Sequence, residues 1–201
     1  MNLERLYMAV DLVRGTCQRD NPRTATELRT YPVLVASAQA PTKNPMEAFL
    51  RTACLAYAWM PQKVRLDQAA LMPAVDAFET LRAGHNIEAR HIEAIAASLS
   101  SMIGASTLLH LANPGAFPIW DEQVEQFRIE EEPTPYHMGQ VRHYLALIED
   151  IRDLSTHPLF LTFHHDFCTA YQGRLQRLRI PPYPLTEPRV VESAIRELAA
   201  S

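Results

Sequence analysis

The residue with the clearest chemical potential in this chain is Asp121, which follows a rigid apolar lead-in. Residues 117–120 read Phe-Pro-Ile-Trp, so a proline and a large aromatic ring limit the motion and the hydration of the carboxyl group. Such an aspartate can act as a general base or stabilise a developing positive charge. An aspartate before a helical stretch is also a common N-cap, and residues 122–124 fit that role. The two roles are compatible, because capping would fix the position of the carboxylate.

A polar stripe precedes Asp121 on a predicted helix over residues 102–112. Ser106, His110 and Asn113 are spaced four and three residues apart, so they share one face of the helix, and Thr107 lies beside them. This arrangement predicts a polar stripe that lines a cleft next to the carboxylate. His110 has two interpretations, a residue of that pocket or a hydrogen-bonded structural histidine.

Two further groups of residues are candidates for binding. Trp59 and Trp120 can form the aromatic walls of a pocket, although Trp59 can equally be the buried end of a helix. Arg174 and Arg177 form a local basic cluster that can contact phosphate. The same arginines also fit the solvated end of a helix, where cations complement the helix dipole.

One part of the chain resembles the pattern of the helix-hairpin-helix DNA glycosylases. It consists of residues 102–107 (Met-Ile-Gly-Ala-Ser-Thr), a helix, a proline-containing apolar stretch and then Asp121. In that superfamily a Gly-x-Gly hairpin presents backbone N–H groups to a DNA phosphate, and the catalytic aspartate follows one helix later. The resemblance implies that Gly104 is the second hairpin glycine and that Asp121 is catalytic. It further implies that Gly104, Ser106 and Thr107 meet phosphate, while His110 and Trp120 line a pocket for an extruded base.

The segment also resembles a group of phage and bacterial proteins in which Ser-Lys-x-Leu-His-Phe precedes Pro-Ile-Trp-Asp. Residues 108–111 and 118–121 carry this likeness. The lysine of the bifunctional glycosylases would fall at Ser106 or Thr107, and neither side chain can form a Schiff base. The resemblance therefore implies a monofunctional, hydrolase-type reaction on a base in DNA. Two alternatives remain: a non-catalytic helical module that binds nucleic acid or protein, and an unrelated helical protein in which this segment only packs.

Composition restricts the partners and the cofactors. The formal net charge is −4, so the chain lacks the overall basic balance of a typical DNA-backbone binder, and DNA remains one candidate partner beside a protein. The chain has no CxxC pair, HExxH motif, Walker loop or dinucleotide fingerprint, which predicts no metal and no cofactor. The adjacent His164 and His165 would point about 100° apart on a helix and rarely share one ion. No signal peptide or membrane span is evident, which indicates a cytoplasmic protein.

The elements that must position these residues are predicted to be helices. Apolar residues recur at three- and four-residue spacing along most of the 201 residues, and 47% hydrophobic with 21% charged residues is typical of globular domains. We expect about nine helices in one all-α domain over residues 1–201, with the only short candidate strand at residues 33–35. Helices are expected to end near Gly15, at Pro61 and at Gly84, and to be capped at Asn44 and Asn86. One helix is expected over residues 102–112, and further helices are expected to start near Asp121, Thr134, Ser155 and Thr186.

Overall fold

Eleven helices form the secondary structure of residues 1–15, 22–60 and 65–200, which a computed structural model of the protein describes. Those residues contain no strand, so the predicted all-α class is confirmed. In chain order the helices are α1 Leu3–Gly15, α2 Pro22–Ala38, α3 Pro45–Trp59, α4 Leu71–Arg82, α5 Ala89–Leu99, α6 Met102–Ala112, α7 Glu122–Ile129, α8 Pro135–Met138, α9 Val141–Ser155, α10 Phe160–Arg177 and α11 Glu187–Ala199.

Several helix ends follow from local chemistry that the sequence shows. The Asn44 side chain accepts a hydrogen bond from the Glu47 amide at 3.2 Å, which caps α3 as predicted. Gly84 has a φ of +77°, a left-handed conformation that glycine adopts without strain, and it follows the end of α4. The predicted end of α3 at Pro61 lies outside the described residues.

Residues 33–35 are not a strand, because they lie within α2. The buried residues Leu28, Tyr31 and Ala38 recur at three- and seven-residue spacing, which is the period of a helix face. Pro32 lies inside the same helix and interrupts the expected helical pattern. The strand preference of residues 33–35 was therefore a weaker indication of structure than the helical spacing of the buried residues around them.

Other predicted boundaries were wrong by a few residues. The N-cap of α5 is Glu88 rather than Asn86, and Ser155 ends α9 instead of starting α10. The helix that was expected to start near Thr134 is divided in two. Thr134 caps only the single turn of α8, and Gly139 follows it as the C-cap before α9 starts.

The central element of the fold is α6, which packs against α2, α3 and α5. Nine of its eleven residues are buried, including Ser106, Thr107 and His110. A helix that is buried on all sides must satisfy its polar side chains inside the protein. A second cluster of helices, α1, α10 and α11, packs together, and α7 joins it through α11.

No single helix of the described residues has both the length and the apolar character to cross a membrane. Only α5 and α6 taken together pass that test, and they are bent by 114° at their junction.

The hydroxyl of Ser106 provides a test of how α6 anchors the segment before Asp121. Its Oγ accepts a hydrogen bond from the Trp120 amide at 3.0 Å and donates to the Ile103 carbonyl at 2.8 Å. Ser106→Ala leaves the buried Trp120 amide without an acceptor, so we expect the free energy of unfolding to fall by about 1–3 kcal/mol. Urea denaturation would measure the change.

The matched control is Ser98→Ala. Ser98 is equally buried, but its Oγ has no hydrogen-bond partner among the described residues. Removing an unsatisfied buried hydroxyl should leave stability unchanged or raise it. Equal losses in the two variants would contradict the anchoring role of Ser106.

Candidate functional site

A cavity of about 320 Å³ lies beside Asp121, and we call it the Asp121 cavity. It forms where the end of α3, one side of α6, the start of α7 and α11 meet. Its size is near the lower end of the range of about 300–1,000 Å³ that is typical of small-molecule sites. Its lining residues are Glu27, Trp59, Met60, Ile103, Thr107, Ile119, Asp121, Glu122, Arg189 and Arg196.

Asp121 combines a capping role with a position on the cavity wall. Its Oδ1 accepts a hydrogen bond from the Val124 amide at 3.0 Å, which makes it the N-cap of α7 as predicted. Its Oδ2 accepts one from Arg196 Nη2 at 2.5 Å. The side chain is 23% exposed, so the carboxylate is held in place while it remains accessible. Sequence reasoning did not identify the arginine partner.

The lead-in to Asp121 is fixed by side chains that bond its peptide groups. Ser106 Oγ bonds the Trp120 amide, and the Tyr144 hydroxyl donates to the Pro118 carbonyl at 3.0 Å. His110 Nδ1 lies 2.7 Å from the Phe117 carbonyl, which can only accept, so Nδ1 carries the proton. The irregular segment 117–120 is therefore anchored at three of its four residues.

His110 is a structural residue rather than part of the pocket wall. It is fully buried, and its Nε2 lies 2.8 Å from the Tyr31 hydroxyl, which donates to it. Burial lowers the pKa of His110 to about 4, against the opposing effect of the Glu192 charge. The histidine is accordingly neutral at physiological pH. Of the predicted cleft-lining stripe, Ser106 and His110 are thus internal anchors, whereas Asn113 is exposed after the end of α6.

The other predicted pocket and phosphate residues divide between the cavity and the core. Trp59 lines the Asp121 cavity, whereas Trp120 is fully buried and its Nε1 donates to Glu125 Oε2 at 2.9 Å. The Gly104 amide donates to Ser101 Oγ at 2.9 Å inside α6, so Gly104 is not a hairpin residue. Thr107 lines the cavity, but its hydroxyl donates to the Ile103 carbonyl.

Ser106, Thr107 and Gly104 are all buried, which corrects the expectation that they meet phosphate. A DNA backbone cannot approach polar atoms that are enclosed by neighbouring helices and already hydrogen-bonded to the protein.

The predicted basic cluster on α10 is also divided. Arg174 is buried and its Nη1 lies 2.5 Å from Glu197 Oε1, so a phosphate cannot reach it without displacing that carboxylate. Arg177 is exposed, and its Nη2 donates to the Val13 carbonyl at 3.1 Å. Neither arginine lines the Asp121 cavity.

A network of charged side chains on α11, which sequence reasoning missed, forms one wall of the cavity. Glu192 is fully enclosed, and its Oε1 accepts from Arg189 Nη1 at 2.6 Å and from Arg196 Nε at 2.9 Å. Burial alone would raise the pKa of Glu192, but the charges of Arg189 and Arg196 hold it below its ordinary value. The spacing of three and four residues was a signal that these side chains share a helix face.

The guanidinium of Arg189 is held between aromatic rings. Its central carbon lies 4.3 Å from the centroid of Tyr31 and 5.8 Å from that of Trp59. The two rings meet edge to face at 6.0 Å. Cation–π contacts of this kind stabilise a desolvated guanidinium. The lining of the cavity therefore includes an aromatic ring and a guanidinium as well as the Asp121 carboxylate.

A second opening adjoins the Asp121 cavity and shares Ile103 and Glu122 with it. We call it the α5–α6 groove. It measures about 680 Å³ and lies between the α5–α6 connection and the start of α9. The connection consists of Ser100, in a left-handed conformation with φ of +50°, and Ser101, which caps α6. Its lining residues are Glu93, Ala96, Ala97, Ser100–Ile103, Glu122, Pro135 and Met138–Arg142.

Glu125, His137 and His143 form a cluster of possible metal ligands that the sequence did not indicate. Their ligand atoms lie within 4.8 Å of one another. Arg128 already bonds both carboxylate oxygens of Glu125, through Nε at 2.8 Å and Nη2 at 2.6 Å. The guanidinium thus supplies the positive charge that the buried carboxylate requires.

Comparison with protein-family models, with curated proteins and with solved structures finds no match to this chain.

The neutral, buried state of His110 predicts a pH dependence of stability. The unfolded chain binds a proton at this residue as the pH falls through about 6.5, whereas the folded protein does so only near 4. Acidification therefore favours the unfolded state. Between pH 7 and pH 5 we expect His110 to lower the free energy of unfolding by roughly 2 kcal/mol, measured by urea denaturation at both values.

The control is His110→Gln, which cannot take up this proton. Carboxylates that titrate near pH 5 contribute to both proteins, so the difference between the two pH responses isolates His110. An equal loss of stability in the variant would show that folding does not lower the pKa of the His110 imidazole.

Proposed function

We propose that this chain acts on a base in DNA and that Asp121 supports chemistry at the N-glycosidic bond. The observation that carries the proposal is the placement of the Asp121 carboxylate on the wall of a cavity that also has the indole of Trp59. A base must leave the helical stack to reach such a site, and an aromatic wall compensates for the lost stacking.

The proposed reaction is hydrolysis of the bond between the base and C1′ of the sugar. The base leaves with the bonding electron pair and takes up a proton, while the oxygen of a water molecule bonds to C1′. Positive charge develops on the sugar in the transition state, and the Asp121 carboxylate stabilises it and receives the proton of the attacking water. No lysine is required for this route.

The α5–α6 groove supplies a path for the DNA backbone next to the cavity. The amides of Met102 and Ile103 belong to the first turn of α6, where no intrahelical acceptor exists, and a helix N-terminus favours anions. Arg142 is exposed on the same groove. The proposed phosphate contacts thus lie at the start of α6, one to five residues before the positions that the family resemblance implies.

A second candidate is a module that binds nucleic acid without catalysis. Both oxygens of Asp121 already accept hydrogen bonds, one from its own helix and one from Arg196. The acidic residues Glu93 and Glu122 on the α5–α6 groove would also limit the affinity for a phosphate backbone. This candidate is favoured if a variant without the Asp121 charge still binds DNA and its rate of base release is also unchanged.

The Asp121→Asn variant separates the two candidates. Asparagine is as good an N-cap as aspartate, so α7 should keep its start while the charge beside the cavity is lost. For a catalytic Asp121 we expect base release to fall about 100- to 10,000-fold with little change in DNA affinity. Alkali-sensitive strand breaks in oligonucleotides that carry single modified bases would measure base release.

The matched control is Asp150→Asn, which removes another aspartate paired with an arginine, Arg128, at 3.3 Å and away from the cavity. It should retain base release. Equal rates in wild type and Asp121→Asn would rule out the catalytic proposal. Affinity that falls steeply with added salt would then support phosphate binding.

A further inference from the structure

Arg189 has a buried hydrogen-bond donor, its Nε, that no described residue accepts from. Its side chain is only 8% exposed and lines the Asp121 cavity. Nη1 donates to Glu192, whereas Nε is buried and has no hydrogen-bond partner among the described residues. A buried donor without an acceptor is costly, so it indicates either a bound acceptor or a functional role.

The charges of the cavity restrict the acceptor to a neutral group. Asp121 and Glu122 line it and Glu192 adjoins it, so three carboxylates outnumber the two guanidiniums of Arg189 and Arg196. Arg196 is already bound by Asp121, and Arg189 by the enclosed Glu192. A phosphate group would add negative charge to a site that already has an excess of it.

The remaining lining favours a flat ring. Trp59 supplies a π-face, and Met60, Ile103 and Ile119 supply an apolar surround. Pockets for planar heterocycles have this composition, with few polar groups that fix the orientation. A carbonyl oxygen on the ring edge is the neutral acceptor that a guanidinium bonds well, as in recognition of guanine O6 by arginine.

We infer that the Asp121 cavity takes a nucleobase with a carbonyl oxygen on its edge, and that Arg189 donates to that oxygen. The inference rests on the proposed function and deepens it, because it names the class of base. A base with an amino group at the same position, such as adenine, places a donor against the guanidinium. That arrangement leaves Arg189 unsatisfied and the amino group desolvated.

The test uses the full chain and two nucleosides that differ chiefly at ring position 6, 2′-deoxyinosine with a carbonyl and 2′-deoxyadenosine with an amino group. Calorimetry measures both affinities, and Trp59 fluorescence reports occupancy of the cavity. We expect deoxyinosine to bind about 10- to 100-fold more tightly. Equal affinities, tighter binding of deoxyadenosine, or no binding of either at millimolar concentration would overturn the inference.

Removing Arg189 alone would leave Glu192 as an unpaired buried charge, which endangers folding. The double variant Arg189→Met with Glu192→Gln avoids this, and it should abolish the preference for deoxyinosine. The control is Arg51→Met: Arg51 also has a buried, unpartnered Nε, but it lies on α3 and does not line the cavity. Loss of the preference in the control would contradict a direct role of Arg189.

The wild-type preference does not depend on whether any variant folds, and it also separates this inference from the proposed function. A preference for deoxyinosine without base release from deoxyinosine-containing oligonucleotides would support the inference and contradict the enzymatic proposal. Base release from amino and carbonyl bases at equal rates would support the enzymatic proposal and contradict the inference.

Discussion

The site depends on hydrogen bonds that the side chains of α6 and α9 make to an irregular backbone segment. Residues 117–120 belong to no helix, yet most of the segment is buried, so its peptide groups need partners from elsewhere. Ser106 bonds the Trp120 amide, His110 bonds the Phe117 carbonyl and Tyr144 bonds the Pro118 carbonyl. These contacts determine where α7 begins and therefore where its capping carboxylate lies.

A chain of alternating charges extends from that carboxylate into the interior. Asp121 binds Arg196, Arg196 binds Glu192, and Glu192 binds Arg189, whose guanidinium lies over the ring of Tyr31. Burying charges costs solvation energy that their mutual attraction rarely exceeds, so such a chain is not explained by stability alone. Its position explains it better, because it holds the Asp121 carboxylate and the Arg189 guanidinium in the lining of the same cavity.

Sequence reasoning predicted the parts of this structure that local interactions determine. The cap at Asp121 follows from a preference for aspartate before a helix, and the predicted span of residues 102–112 matches α6. The burial of α6 on all sides was not predicted, because it depends on α2, α3 and α5 packing around it. For that reason its polar stripe was assigned to a cleft, although only Thr107 reaches one.

The arginines of the cavity could not be assigned for a related reason. The spacing of Arg189, Glu192 and Arg196 places them on one face of α11, but an exposed ion-paired face has the same spacing. Only the packing of α11 against α1 and α7 distinguishes the two cases. The partner of Asp121 is 75 residues away in the chain, and no local pattern indicates a contact over that separation.

The contact between Arg196 and Asp121 also decides which chemistry the carboxylate can perform. The Arg196 guanidinium, 2.5 Å from Oδ2, fixes the orientation of the carboxylate and occupies one of its lone-pair sites. The same contact keeps a fixed negative charge beside the cavity, and a carboxylate offers about four lone-pair sites, of which two are occupied here. Stabilising positive charge on a sugar requires that fixed charge more than it requires basicity. For the proposed reaction, the main contribution of Asp121 is therefore electrostatic, with the transfer of the water proton following late, once the bond to the base has largely broken.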